Sequence, residues 1–409
     1  MTDLVINSSR LNQFIEQMAQ IGATAAGGCN RQALTALDAQ GRALFLEWCA
    51  QIGGKPRRDQ MGNLFVRFEG SRPDLKPILL GSHLDTQPTG GRFDGVYGVL
   101  AALEVMMTLH QQQTVFQHPV DLAVWTNEEG ARFAPAMMGS GVFAGVFEQD
   151  AMEQVTDSDG VSVSEALTQT GERGELPCQA FAFHGSLELH IEQGPVLEKA
   201  QLAIGQVTGV QGMNWFTVTL EGQSVHAGPT PMSMRIDPVQ AFMKLLPKLY
   251  QLVADDEQAR LTIGRIDTYP RAPNTVPEQV QFTVDLRHPQ QEQLDQLSAQ
   301  LIALCEFNRD GFQGRIEPLW QSNAVAFDPL CIEAVGTACE QLGYDYQPIV
   351  SGAGHDSVYL SQVGRCGMIF IPCRDGISHN EQEYASPSHV AQGANVLLHA
   401  FLQLDQKES

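Results

Sequence analysis

Positive charge is scarce in this chain. It carries 25 Lys and Arg against 47 Asp and Glu, a formal net charge of −22 over 409 residues. That argues against nucleic acid as a partner, because a polyphosphate backbone is gripped by Lys and Arg. It also means that the overall field repels a small anion, so an anionic substrate has to be held by a local cation. Long apolar runs are missing as well. The longest, around Val99 to Leu109, is interrupted by Glu104 and is too short to span a bilayer. Met1 to Arg10 lacks the basic-then-apolar pattern of an export signal. The eight cysteines are scattered with no C-x-x-C pair, which fits buried thiols in a reducing compartment. There is no internal repeat and no low-complexity segment. The expectation is a soluble, cytoplasmic protein with neither a nucleic-acid nor a membrane partner.

What is present is ordinary globular composition, 43% apolar and 18% charged, in a chain too long for one core. Helical periodicity predicts amphipathic helices over Leu11 to Ile21 and Asp38 to Ile52. Short apolar runs predict strands at Asn63 to Phe68, Ile78 to Asp85, Val120 to Thr126 and Leu187 to Ile191, with a helix over Val99 to His110. Strands alternating with helices imply a mixed, largely parallel sheet sandwiched by helices. Asp157 to Glu175 is polar and reads as a surface excursion. From Gly209 the order becomes strand (Trp215 to Glu221), helix (Pro238 to Val253), strands (Leu261 to Ile266, Gln279 to Arg287), helix (Gln291 to Phe307), strand (Arg315 to Trp320). This is the split βαβ order of a ferredoxin-like β-α-β-β-α-β domain. After Asn323 the α/β pattern returns, with helices over Leu330 to Leu342 and Ser388 to Leu404 around a strand at Gly367 to Pro372. The boundaries are therefore 1–208 and 326–409 for a metal-binding catalytic domain and 209–325 for an inserted domain.

The chemistry gathers where strands end. Ile78-Leu79-Leu80 runs into Gly81-Ser82-His83-Leu84-Asp85, and Asp94 follows a glycine-rich loop. His83 and Asp85 lie two apart, so an extended chain points them the same way. Val124-Trp125-Thr126 leads to adjacent carboxylates, Glu128 and Glu129, which face apart. Leu187-Glu188-Leu189 delivers His190, and Met368 to Ile371 leads to His379. Loops beyond the carboxyl ends of parallel strands build active sites in open α/β sheets. Any one of these groups has a structural reading of equal weight; their convergence on one rim points to two metal ions. Asp94 then bridges, with His83 and His190 on one ion and Glu129 and His379 on the other. Asp85 orients His83, and Glu128 is the general base for the shared water.

The runs G-S-H-L-D-T and G-G-R-F-D-G, T-N-E-E-G-A-R-F, L-H-I-E-Q-G, H-A-G-P-T-P-M, S-G-A-G-H-D and G-I-S-H-N together resemble the amidase/hydantoinase/carbamoylase family. That family holds N-carbamoyl-L-amino-acid hydrolases, β-ureidopropionases and allantoate amidohydrolases, within the di-zinc aminoacylase-like peptidases. The resemblance covers nearly the whole chain. It implies two divalent ions per subunit (Zn, Mn, Co or Ni), the same ligand and base positions, and a homodimer formed through the inserted domain. The histidine at His190, where related di-zinc peptidases commonly have a carboxylate, tilts the expectation toward a small ureido-acid substrate.

The resemblance further implies that His226 polarises the scissile carbonyl and stabilises the oxyanion, and that Arg287 and Asn274 clamp the substrate carboxylate. Gln193 and the backbone at Gly352 and Ala353 would also touch substrate, with His355 as a further candidate. Some of these groups would arrive by domain closure or from the partner subunit. The expected reaction is hydrolysis of an N-carbamoyl-L-amino acid to amino acid, carbon dioxide and ammonia. Allantoate amidohydrolase and β-ureidopropionase are the near alternatives. An aminoacylase, a dipeptidase or a catalytically silent binding protein is more remote.

Overall fold

The computed structural model describes residues 4–309 and 311–407. The chain forms two compact units, one made by Gly209–Val325 and the other by the chain on either side of it.

The larger unit is a mixed α/β structure built on one sheet. Across it the strands run Lys55–Arg58, Leu64–Phe68, Val120–Trp125, Ile78–His83, Gly185–Ile191, Cys366–Ile371 and Ile204–Val210, and Tyr346–Ser351 also pairs with the last of these. The four central strands are mutually parallel: Ile78 pairs with Val120 and with Gly185, and Cys366 with Ser186. The flanking pairs are antiparallel. Central parallel strands are buried on both faces, which explains the unbroken apolar run Ile78-Leu79-Leu80 and the fully buried Cys366–Ile371. Helices Ser8–Gln20, Val96–Gln111, Pro329–Leu342 and Pro387–Asp405 share a core with Leu187, Leu189, Ile369 and Ile371. The alternate residue Glu188 instead accepts from the Ser357 hydroxyl at 2.7 Å. Helix Val96–Gln111 is buried almost all round, so its apolar residues show little one-sided bias.

The inserted unit is a five-stranded antiparallel sheet ordered Phe307–Arg309, Phe312–Ser322, Gly212–Glu221, Gln279–His288, Arg260–Tyr269. Its four long strands with helices Pro238–Gln251 and Gln291–Cys305 form the ferredoxin-like arrangement. Alternating burial along Gln279–His288 places Val280, Phe282, Val284 and Leu286 against both helices. Asp285 and Arg287 therefore point to the other face.

In the larger unit, three of the strands named above lie outside the sequence reading. Lys55–Arg58 is wholly polar or Pro, Ile204–Val210 contains Gly205 and Gly209, and Tyr346–Ser351 contains Pro348. The stretch Asp157 to Glu175 is not a plain surface excursion. It holds helix Val163–Thr170, opened by a Ser162/Glu165 capping box and buried through Val163, Ala166 and Leu167. All eight cysteines are free and buried. No helix among the described residues is long and apolar enough to cross a membrane.

Candidate active site

Because the four central strands run the same way, their carboxyl ends share one edge of the sheet. His83 closes Ile78–His83, and His190 is the penultimate residue of Gly185–Ile191. Glu128 and Glu129 follow Val120–Trp125, and His379 follows Cys366–Ile371. Asp94 reaches the same place from the loop before helix Val96–Gln111.

Two triads form there and share Asp94. In the first, Oδ1 of Asp94 lies 3.5 Å from His83 Nε2 and 3.2 Å from His190 Nε2. In the second, Oδ2 lies 3.4 Å from His379 Nε2, which is 3.2 Å from a Glu129 carboxylate oxygen. Glu128 turns the other way from its neighbour and comes within 3.5 Å of His83 Nε2. The expected five ligands and the expected base are thus all in one cluster.

Local backbone sets these directions. Asn127, Gln193 and His379 adopt left-handed φ values of 56°, 57° and 53°, a region non-glycine residues enter at some energetic cost. Each sits at a loop where the chain must turn a side chain into the site. Gly95 has φ 63°, and a Cβ there would overlap the His83 ring, so only glycine lets imidazole and loop approach this closely.

One expected role is corrected. Asp85 does not steady His83 through its carboxylate, which stands 3.9 Å from Nδ1. Its main-chain carbonyl does so instead, at 2.9 Å. The carboxylate accepts from the backbone N–H groups of Glu128 and Glu129, at 3.3 and 3.2 Å, and so fixes the turn from which the two acids diverge.

Several neighbours escaped the sequence reading. Gln87 donates to Glu129 from its amide at 2.8 Å and from its backbone N–H at 3.2 Å. The Ser378 hydroxyl lies 2.9 Å from Asp94 Oδ2 and 2.8 Å from Glu383 Oε2. The only signals were proximity, Gln87 two residues after Asp85 and Ser378 next to His379. Glu383 offered none.

The remaining substrate candidates divide by unit. Gln193 is in the cluster, its amide donating 2.7 Å to Asp94 Oδ2 while its buried Oε1 has no hydrogen-bond partner. His355 is buried with its ring 4.7 Å from that of His190, and its Nε2 faces the Ser351 hydroxyl at 3.0 Å. Gly352 and Ala353 lie in the loop between them, where Ala353 N donates to the same hydroxyl. In the inserted unit, His226 and Asn274 are adjacent and exposed: His226 pairs with Thr275, and Ala227 N donates to the Asn274 carbonyl at 3.0 Å. Arg287, one residue from the end of its strand, forks onto Asp285 at 2.9 and 2.7 Å.

Burial works against charge throughout the cluster. It holds the Glu128 carboxyl well above the carboxylate range despite His83, with Asp356, Glu129 and Asp94 adding to the rise. Burial also pulls the His83 imidazole down, but Glu128, Asp94 and Asp85 outweigh it and leave the ring well above its ordinary value. His379, bonded to Asp94 and Glu129, is pushed up to about 11. Four acids converge on three imidazoles, an excess of negative charge that divalent cations would offset. His83 Nε2 is buried with no hydrogen-bond partner and aimed at the Asp94 and Glu128 oxygens, a donor left open for an ion. Mixed imidazole and carboxylate donors suit Zn, Mn, Co and Ni.

The chain matches the model of peptidase family M20/M25/M40 over residues 79–403. It is 43% identical to an N-carbamoyl-L-amino-acid amidohydrolase of Rhizobium meliloti, with 97% of this chain and 96% of that protein covered. It is 35% identical to the allantoate amidohydrolase of Bacillus subtilis, with 95% of each covered. Among solved structures, an amidase of the hydantoinase/carbamoylase family from Burkholderia multivorans superposes with a TM-score of 0.94 at 44% identity, covering 99% of this chain and 100% of that one. The shared fold, the length of the match and the metal-ready cluster agree: this chain is a metal-dependent hydrolase of the M20/M25/M40 peptidase family, in its hydantoinase/carbamoylase amidase branch.

Proposed function

We propose that this chain hydrolyses the ureido group of an N-carbamoyl-L-amino acid, giving the amino acid, carbon dioxide and ammonia. The observation that carries the reading is the pair of triads sharing Asp94, with the Glu128 carboxylate beside them. His83, Asp94 and His190 would hold one divalent ion, and Asp94, Glu129 and His379 a second. Bound there, such ions polarise a carbonyl and lower the pKa of a shared water. Glu128 takes a proton from the attacking water and returns it to the departing nitrogen, the work of a general base placed within reach. One water is consumed, and the carbamic acid released falls apart to carbon dioxide and ammonia. In the inserted unit, His226 supplies a donor for the oxyanion, while Arg287 and Asn274 bind the substrate carboxylate. A guanidinium fork is well shaped for that task, and it offsets locally the repulsion expected from the net charge of −22.

Allantoate is the second reading, supported by the Bacillus subtilis relative. The protein is further read as a cytoplasmic homodimer joined through the inserted unit. Its outer strand Arg260–Tyr269 leaves Ile266 53% and Tyr269 62% exposed, which supports pairing with a second copy.

The test is ammonia release from N-carbamoyl-L-amino acids, β-ureidopropionate and allantoate after reconstitution with Mn or Zn, beside Glu128→Gln. The expected result is turnover of the N-carbamoyl-L-amino acids and a variant that keeps its metal but loses about 10²–10⁴-fold in rate. Turnover of allantoate alone would select the second reading. A wild-type protein with two bound ions that is inert on all three would overturn both.

A further inference from the structure

Two loops must hold still for Asp94 to bridge. One carries Asp94 itself; the other, after Cys366–Ile371, carries Ser378 and His379. Glu383 touches both. It is 3% exposed, and its Oε1 accepts from the backbone N–H groups of Phe93 at 2.9 Å and Asp94 at 3.1 Å. Its Oε2 lies 2.8 Å from the Ser378 hydroxyl, which lies 2.9 Å from Asp94 Oδ2. Glu383 thus fixes Asp94 from its main-chain side and, through Ser378, from its carboxylate side. Glu383 lies 290 positions from Phe93 in the chain. Gly91 has no room for a Cβ against this carboxylate, so the Asp94 loop closes tightly over it. Glu383 is also held from its own side, its N–H donating to the Asn380 carbonyl at 3.0 Å.

We propose that Glu383, acting through Ser378, is the positioning residue that sets the bridging geometry of Asp94 and brings the His379 loop into register with it. This rests on the reading of Asp94 as a ligand to two ions. The role is geometric. A glutamine keeps the oxygen that accepts from Phe93 and Asp94, and its amide can donate to the Ser378 oxygen. The single Ser378 hydrogen is then left wholly to Asp94. An alanine removes all of these contacts and leaves two buried N–H groups without a partner.

The experiment titrates metal-free wild type, Glu383→Gln, Glu383→Ala and Ser378→Ala with Co²⁺ alone, following heat and the visible cobalt absorption. Wild type should take two equivalents; fewer would refute the two-ion reading itself, whatever the variants do. Given two, Glu383→Ala should weaken cobalt binding about 10–100-fold and shift the absorption bands. Glu383→Gln should restore wild-type affinity and spectrum, a rescue that a merely space-filling role does not explain. Ser378→Ala should shift both in the direction of Glu383→Ala, by less. A folded Glu383→Ala with both equivalents at wild-type affinity and an unchanged spectrum would overturn the proposal. So would a Glu383→Gln as impaired as Glu383→Ala. If Glu383→Ala fails to fold, Ser378→Ala decides, and wild-type affinity and bands there would overturn it.

Discussion

Asp85 meets His83 through its main-chain carbonyl, 2.9 Å from Nδ1, and not through its carboxylate, which is spent on the Glu128 and Glu129 N–H groups. Removing the carboxylate should therefore disturb the base more than the imidazole. We expect Asp85→Ala to keep its metal, because the carbonyl that steadies His83 remains. Its kcat should fall about 100-fold as Glu128 loses its aim, since misplacement of this kind costs rate on that scale. Elemental analysis beside steady-state kinetics checks this. Metal loss matching the loss of rate would return the carboxylate to His83.

At Gly95 the constraint is steric. Gly95→Ala must place a Cβ where the His83 ring lies, at a φ of 63°. The strain alone costs about 1 kcal/mol, and displacing the ring adds to it. The expected outcome is a folded protein with a lowered melting temperature and a deficit of bound metal. Full metal content in Gly95→Ala would show that the ring can move without loss.

Arg287 pairs with Asp285 at 2.7 Å. On the proposed reading a substrate carboxylate would compete for the same fork. Arg287→Ala should raise KM for carboxylate substrates about 10–100-fold with a smaller change in kcat, as expected for loss of a charge-assisted bidentate contact. Arg287→Lys should not restore it, because an ammonium cannot reproduce two parallel bonds. An unchanged KM in Arg287→Ala would remove this residue from the site.

Away from the cluster, Asp59 gives a pH dependence. Its carboxylate accepts from Met61 N, Asn63 N and Asn63 Nδ2 at 2.8–2.9 Å, yet burial pushes the carboxyl up to about 6. A folded pKa above the unfolded one means that this group's stabilising contribution is complete below about pH 4 and is lost as pH rises through 6. The loss is about 3 kcal/mol. Relative to wild type, Asp59→Asn should accordingly gain about that much between pH 4 and pH 7 in urea unfolding. A difference that does not change with pH would mean that the carboxyl titrates normally.

How far the sequence could carry the reading follows from its physics. His83, Glu129, His190 and His379 were legible because each stands at or just after the end of an apolar strand, and parallel strands bring such ends together. Asp94 was legible as the acid following a glycine-rich loop. What the pattern does not encode is which atom of a residue makes a contact, hence the correction at Asp85. Nor does it encode the left-handed turns at Asn127, Gln193 and His379, a region that Asn and His enter more readily than most residues but still seldom. Glu383 is joined to Asp94 across 289 positions and is invisible to any local window. The strands Ile204–Val210 and Tyr346–Ser351 were hidden by Gly and Pro residues that normally interrupt strands. The Ser162/Glu165 capping box, by contrast, is a local signal that the sequence does carry, set within a polar stretch.

The four strands that furnish the candidate ligands all lie before residue 204 or after 365, and the ferredoxin-like insertion begins and ends between those limits. No ligand-bearing strand is interrupted by it. Substitutions and length changes within Gly209–Val325 can therefore accumulate without breaking the continuity of any strand that presents a candidate ligand.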